Sequence, residues 1–119
     1  MTLDSEFSKD KPLLTTGIVA SMLGITPDRL RTYDTEKLII THRLQTGEVK
    51  KRLYSRYDVE WLQSVRVLVK TYKMSISSIK FLLQTVLLNK EIKFPNNEIG
   101  KIILEMKENP NFKLIVKNF

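Results

Sequence analysis

Two short helix-forming segments joined by a tight turn restrict the fold of this chain more than any other feature. The first, TTGIVASMLG, opens with Thr15 or Thr16 as a capping residue and closes on Gly24, a residue typical of the position after a helix. The second, ITPDRLRTYD, places Pro27 at the first helical position directly after Thr26, whose side chain can cap the helix. Together they predict a helix-turn-helix, and a generic helical hairpin is the alternative.

The second helical segment has two faces of different character. At about 100° per residue, Leu30 and Tyr33 share one side, which has the composition of a core face. The opposite side is polar and is expected to point outward, with Arg29 on its flank. Its members are Asp28, Arg31, Thr32 and Thr35.

A polar turn between two β-prone segments follows and predicts a hairpin. Ile39–Thr41 and Leu53–Tyr54 are the β-forming arms, and Thr46-Gly47 is the turn signal. We interpret the hairpin as a wing whose cations grip phosphates, although lysines that keep a solvated edge from aggregating are the alternative. The cations are Arg43, Lys50, Lys51 and Arg52.

The remaining sequence predicts three further helices and an apolar tail. Ser55 followed by Asp58 resembles a capping box, and Ser75 begins the next helix. A break at Pro95-Asn96-Asn97 precedes a short amphipathic helix and the segment NFKLIVKNF, whose centre is β-prone. We expect a mainly α winged helix-turn-helix with three parts: a flexible arm over residues 1–12, the winged domain over 13–88, and an extension over 95–119 for dimerisation or packing.

Charge and composition favour an anionic partner and argue against an enzyme. The 119 residues carry a formal charge of +7 and a pI of about 9.7, which favours nucleic acid or an acidic membrane surface. The absence of cysteine excludes disulfides and thiolate metal sites. His42 is the single histidine, no glycine-rich phosphate loop is present and the acidic residues are dispersed, so no catalytic site, metal or cofactor is expected. The polar N-terminus does not have the pattern of a signal peptide, and no apolar run is long enough to span a membrane.

From about Leu14 to Leu83 the chain resembles the DNA-binding domain of the MerR family of bacterial transcription regulators. The matching segments are TTGIVASMLGITPDRLRTYDTEKLI, RLYSRYDVEWL and KMSISSIKFLL, in this order. The chain departs from the family pattern at Thr32, where an aromatic is usual, and in the five-residue step from Gly47 to Arg52. The family's long dimerising helix is not evident. The resemblance implies double-stranded DNA as the partner in a bacterial cytoplasm, at the nucleoid, and a short member without a large effector domain.

This resemblance and the residue chemistry suggest individual roles. Arg29 is the best candidate to read a base, because an arginine in the major groove can bond guanine twice. The resemblance implies backbone contacts for Arg31 and Tyr33, whereas Asp28 either accepts from cytosine or favours the helix N-terminus. Tyr54 is expected at the base of the wing. The predicted DNA-contacting residues are Thr26, Asp28, Arg29, Arg31, Thr32 and Tyr33 on the helix and Arg43, Lys50, Lys51, Arg52 and Tyr54 on the wing.

A single module of this kind buries only about 600–1,000 Å² against DNA, so we expect a homodimer that reads an inverted repeat. The predicted dimer contact is the apolar C-terminal extension: Ile99, Ile102, Ile103, Met106, Phe112, Leu114, Ile115, Val116 and Phe119. A sequence-specific transcription regulator is the favoured function. The alternatives are an architectural or excisionase-like DNA binder and a protein-interaction module that uses the apolar tail. A protein effector is compatible with the lack of an evident ligand domain.

Overall fold

The computed structural model of the chain describes residues 8–119. They form six α-helices and one three-stranded antiparallel sheet. The helices are α1 (Thr16–Leu23), α2 (Pro27–Thr35), α3 (Arg56–Lys70), α4 (Ile76–Leu88), α5 (Glu98–Glu108) and α6 (Pro110–Ile115), with a 3₁₀ turn over Val116–Asn118. The strands are β1 (Leu14–Thr15), β2 (His42–Thr46) and β3 (Val49–Tyr54). The predicted mainly α winged helix-turn-helix is confirmed.

Local capping signals set the bounds of the helix-turn-helix. Gly24 ends α1 in the left-handed conformation, with φ +68°, and its N–H donates to the carbonyls of Ala20 and Ser21. The hydroxyl of Thr26 accepts a hydrogen bond of 3.1 Å from the backbone N–H of Arg29 at the start of α2. Both caps agree with the sequence prediction, since each depends only on residues within one turn of the helix end.

The wing differs from the predicted hairpin in its first arm. β2 starts at His42, whereas Leu38 and Ile39 are 0% and 1% exposed and belong to the core. The predicted arm Ile39–Thr41 therefore lies before the strand, and Ile39 packs in the core beside Leu38. β1, which was not predicted, pairs with β3 through Leu14↔Tyr54, so the strand order is β1-β3-β2.

The turn of the wing is formed by Gly47 and Glu48, between the paired residues Thr46 and Val49. Gly47 has φ +61°, a conformation that the first loop residue of a primed two-residue hairpin requires. The Thr46-Gly47 turn signal is thus confirmed, and it places the tip of the wing at the end of the sheet away from the core.

Helix α3 is the centre of the core. Its N-terminus has the predicted capping box, because Ser55 Oγ accepts from the Asp58 N–H and Asp58 Oδ2 accepts from the Ser55 N–H. Trp61 is fully buried, and its indole N–H donates to the carbonyl of Leu38 at 2.7 Å. This bond joins α3 to the segment that connects the helix-turn-helix to the wing.

The C-terminal extension packs on α3 of its own chain. The side-chain amide of Asn109 donates to the Tyr57 carbonyl at 3.0 Å, and that of Asn111 donates to Asp58 Oδ1 at 2.9 Å. The centre of the tail is β-prone in sequence, but the segment forms a helix: α6 begins with Asn109 as its N-cap and Pro110 in its first turn. These two residues favour a helix start, and burial of one helical face completes the element.

Most residues of the predicted dimer contact are buried in the core of their own chain. Ile102, Ile103, Met106, Phe112, Ile115 and Val116 are buried within the chain, and Ile99 and Phe119 are partly buried against the same core. These side chains already have an apolar environment and do not present a free stripe to a second copy. Leu114 is the exception, with 56% of its surface exposed. The extension is therefore a packing element, and its contribution to a dimer stays a prediction.

The N-terminal arm is only partly covered by the structure, because residues 1–7 lie outside the described residues. Residues 8–12 lie close to α3: the Lys9 carbonyl accepts from the Tyr57 N–H at 3.1 Å, and Lys9 Nζ is 3.0 Å from Glu60 Oε1. These contacts attach residues 8–12 to α3, and the flexibility of the arm stays a prediction. Over residues 8–119, no helix is both long and apolar enough to cross a membrane.

Candidate nucleic-acid interface

Helix α2 presents the two faces that its sequence predicts. Leu30 and Tyr33 are 0% and 1% exposed and attach the helix to the core. The polar residues of the other face are all exposed: Asp28, Arg29, Arg31, Thr32 and Thr35. A short helix held through one face and bare on the other has the form of a recognition helix, which enters the major groove with its polar side.

The two arginines of α2 have different environments. Arg31 Nη1 is 2.5 Å from Asp28 Oδ1, one turn earlier on the same face. Such an exposed pair contributes little to stability and can be exchanged for a phosphate contact. The Arg29 guanidinium has no hydrogen bond or ion pair within the described part of the chain, so it is free to reach a base edge.

A single carboxylate connects α2 to both strands of the wing. Asp34 Oδ2 accepts from Arg43 Nη2 at 2.9 Å and from Arg52 Nε at 2.6 Å. Arg43 and Arg52 are directly opposite each other in the β2–β3 ladder, where two like charges repel. The Asp34 side chain is 10% exposed and offsets that repulsion, so the wing has a fixed position beside α2.

This arrangement gives Arg43 and Arg52 a role that the sequence did not reveal. Both were predicted to grip phosphates, and both instead have a carboxylate partner 9 and 18 residues away in the sequence. The partners of Asp34 lie on the wing and not on α2. The contact depends on how the wing folds back, which residue spacing along the chain does not show.

A basic cleft lies between the start of α1, α2 and the second strand of the wing. It has a volume of about 300 Å³ and is lined by Thr15, Thr16, Gly17, Arg31, Lys50, Lys51 and Arg52. The Thr15 side chain makes no capping hydrogen bond at the N-terminus of α1, which is the positive end of the helix dipole. A helix N-terminus beside four cations can bind a phosphate. Sequence reasoning identified the cations and missed the helix start.

The two tyrosines predicted at the interface, Tyr33 and Tyr54, are both buried. Tyr54 is 0% exposed and lies at the base of the wing, where burial raises the pKa of its hydroxyl. The Tyr33 ring is also in the core, and its hydroxyl accepts from Arg66 Nη1 at 3.1 Å instead of pointing outward. Both rings therefore pack in the core beneath the exposed surface of α2 and the wing. The predicted residues that remain exposed are Thr26, Asp28, Arg29, Arg31, Thr32, Arg43, Lys50 and Lys51.

An exposed polar helix in a helix-turn-helix, fixed to a basic wing, defines a DNA-binding module of the winged helix-turn-helix class. The family model for MerR HTH family regulatory proteins matches residues 14–86. The chain belongs to the MerR family. The match covers nearly the same residues as the resemblance read from the sequence.

Two known proteins show how far the likeness extends. The HTH-type transcriptional regulator TnrA of Bacillus subtilis (strain 168) is 35% identical over 65 residues, which are 55% of this chain and 56% of TnrA. The chain thus matches about half the length of that relative. The crystal structure of HiNmlR, a MerR family regulator lacking the sensor domain and bound to promoter DNA, superposes with a TM-score of 0.53 and 26% identity, covering 85% of this chain and 75% of HiNmlR.

Proposed function

We propose that this chain regulates transcription by binding an inverted-repeat promoter site as a homodimer, without catalytic activity, at the nucleoid of the bacterial cytoplasm. The observation that carries the proposal is the Asp34 bridge, since it fixes a base-reading helix and a phosphate-gripping wing as one surface. The likeness to HiNmlR, whose structure contains promoter DNA, supports the same orientation of α2 toward the groove.

The exposed residues have two roles: some contact base edges and read the sequence, and others bind phosphates and position the protein on the DNA. Arg29 reads a base, because its guanidinium has no partner among residues 8–119 and arginine forms two bonds with guanine in the major groove. Arg31, Lys50 and Lys51 bind phosphates around the basic cleft, and such contacts fix register without reading sequence. Thr32 is exposed on the same face and contacts the groove beside Arg29.

A homodimer follows from the size of the module. One copy offers a single helix and a single wing, and a contact of about 600–1,000 Å² gives limited affinity and selectivity. Two copies related by a two-fold axis read two inverted half-sites whose centres are about 10 base pairs apart, or a multiple of that spacing.

The phosphate contacts are tested by the salt dependence of binding to a mixed-sequence duplex. We expect log K to fall linearly with log [salt], and Lys50→Ala/Lys51→Ala to make this slope shallower by about two, since each lost phosphate contact removes about 0.9 from the slope. Fluorescence anisotropy with a labelled duplex over a range of salt concentrations measures both slopes.

The matched control is Lys101→Ala/Lys117→Ala, which removes the same charge from the exposed C-terminal extension. This variant is expected to keep the wild-type slope. An equal decrease of the salt slope in both double variants would contradict phosphate contacts localised to the wing. Binding without any salt dependence would contradict DNA binding and favour the protein-interaction alternative.

A further inference from the structure

Helix α4 presents an apolar face that no described residue covers. Phe81 is 75% exposed and Leu88 is 84% exposed, and they lie on one side of the helix, two turns apart. Beside Phe81 is a shallow groove of about 450 Å³, lined mainly by apolar surface. The residues that line it are Met74, Ser77, Ser78, Phe81, Leu82 and Thr85. An exposed aromatic side chain beside an apolar groove marks a candidate interaction site.

The rest of α4 is firmly attached to the protein. Ile79, Leu83 and Val86 are at most 1% exposed and pack in the core. On another edge, the Gln84 amide donates to the Phe119 carbonyl at 2.8 Å, and Lys80 Nζ lies 5.6 Å from the centre of the Phe119 ring. The exposure of Phe81 and Leu88 therefore belongs to a well-packed helix.

Charge indicates which partner this face accepts. Lys80 is the one charged residue in the sequence of α4, and it lies on the Phe119 edge. The chain as a whole carries +7, so two copies repel each other over most of their surfaces. The Phe81 face is neutral and apolar, which lets two copies approach without that repulsion and offers no complement to a charged partner.

We propose that the α4 face is the homodimer contact, a proposal that rests on the homodimer of the proposed function. The positions of its residues are compatible with a two-fold antiparallel pairing. Ser77 and Thr85 stand about one turn before and after Phe81, Leu88 extends the face at the C-terminal end of the helix, and Met74, which precedes the helix, lines the groove at the other end. With the axis at Phe81, Leu88 of one copy enters the groove beside Met74 of the other, and Thr85 meets Ser77.

The contact is small. A 13-residue helix is about 20 Å long, and a stable interface usually buries about 800 Å² on each partner. The pairing is therefore weak in the free protein and becomes effective when DNA holds two copies on neighbouring half-sites, because the second contact is then made at high local concentration.

The first test compares Phe81→Glu with Leu114→Glu, the exposed member of the C-terminal extension. Each variant places the same charge at an exposed apolar position. We expect Phe81→Glu to lose cooperative binding of two copies to an inverted repeat and to keep wild-type affinity for a single half-site. Leu114→Glu is expected to match the wild type in both gel-shift titrations.

The outcomes separate this proposal from the proposed function. If Leu114→Glu lost cooperative binding and Phe81→Glu kept it, the α4 contact would be overturned. The dimer contact would then lie in the C-terminal extension, and the proposed regulatory function would be unaffected. Cooperative binding by both variants would overturn the α4 contact as well. If the wild type binds no DNA site, the proposed function fails, and the α4 contact is judged by cross-linking of the free protein.

The cross-linking test uses the absence of cysteine from the chain. Ser77→Cys and Thr85→Cys are purified separately and oxidised alone or mixed at high concentration. We expect a disulfide dimer in the mixture and almost none in either variant alone, because residues 85 of two antiparallel helices would be about 12 Å apart and disulfides require Cα atoms closer than about 7 Å. Equal cross-linking of the single variants, or none in the mixture, would overturn the pairing.

Discussion

Asp34→Ala is expected to lower the affinity for DNA by about tenfold and the free energy of unfolding by about 2 kcal/mol. The substitution removes the acceptor shared by Arg43 and Arg52, which are opposite each other in the wing. Without it the two guanidinium groups repel, and the wing loses its fixed position beside α2. Most of the stability loss comes from Arg52, whose side chain is 27% exposed, since Arg43 at 59% is largely solvated.

The direction of the change in DNA affinity distinguishes a loss of wing positioning from a change in net charge alone. Removing a carboxylate raises the net charge by one, which by itself strengthens attraction to phosphate. Glu36→Ala makes the same charge change at an exposed position at the end of α2 and is expected to bind DNA as well as the wild type or slightly better. Anisotropy titrations and urea denaturation give the two quantities. Wild-type affinity in Asp34→Ala would show that the bridge does not position the wing.

Trp61→Ala is expected to lower the free energy of unfolding by about 3–5 kcal/mol, a large part of the stability of a domain of this size. Trp61 is fully buried in α3, and its N–H donates to the Leu38 carbonyl between the recognition helix and the wing. Truncation leaves both a cavity and an unpaired buried carbonyl. Far-UV circular dichroism in urea measures the change, since Trp61 is the only tryptophan and fluorescence is lost with it.

Two further variants serve as comparisons for Trp61→Ala. Trp61→Phe keeps most of the buried apolar surface and loses the hydrogen bond, and is expected to cost about 1–3 kcal/mol. Phe81→Ala removes an aromatic ring that is 75% exposed and is expected to change stability by less than about 0.5 kcal/mol. A loss below about 1 kcal/mol in Trp61→Ala would contradict its place at the centre of the core.

The features that sequence predicted are those set by neighbouring residues. The caps at Thr26 and Ser55, the end of α1 at Gly24 and the two faces of α2 each depend on chemistry within one or two helical turns. The turn at Gly47 is equally local. Their agreement with the structure explains why the winged helix-turn-helix was recognisable from residue order alone.

The features that were missed depend on contacts between distant residues. The Asp34 bridge joins positions 9 and 18 residues apart, and the two-residue strand β1 exists only because it pairs with β3. The apolar stripe of α5 predicted correctly that this face of the helix is buried, but it did not predict which element packs against it. Periodicity shows that a face is apolar without identifying its partner. That face of α5 packs within the chain. The exposed apolar face of α4 became evident only from the structure.

Selection of bound duplexes from a random-sequence DNA pool tests sequence-specific recognition by α2 most directly. The wild type is expected to enrich an inverted-repeat motif with half-site centres about 10 base pairs, or a multiple, apart. Arg29→Ala/Arg31→Ala, selected in parallel, is expected to enrich no motif, because it lacks the base reader and a phosphate contact of the same helix. Enrichment by the wild type without any motif would contradict specific recognition and favour the architectural alternative, and no enrichment at all would contradict DNA binding.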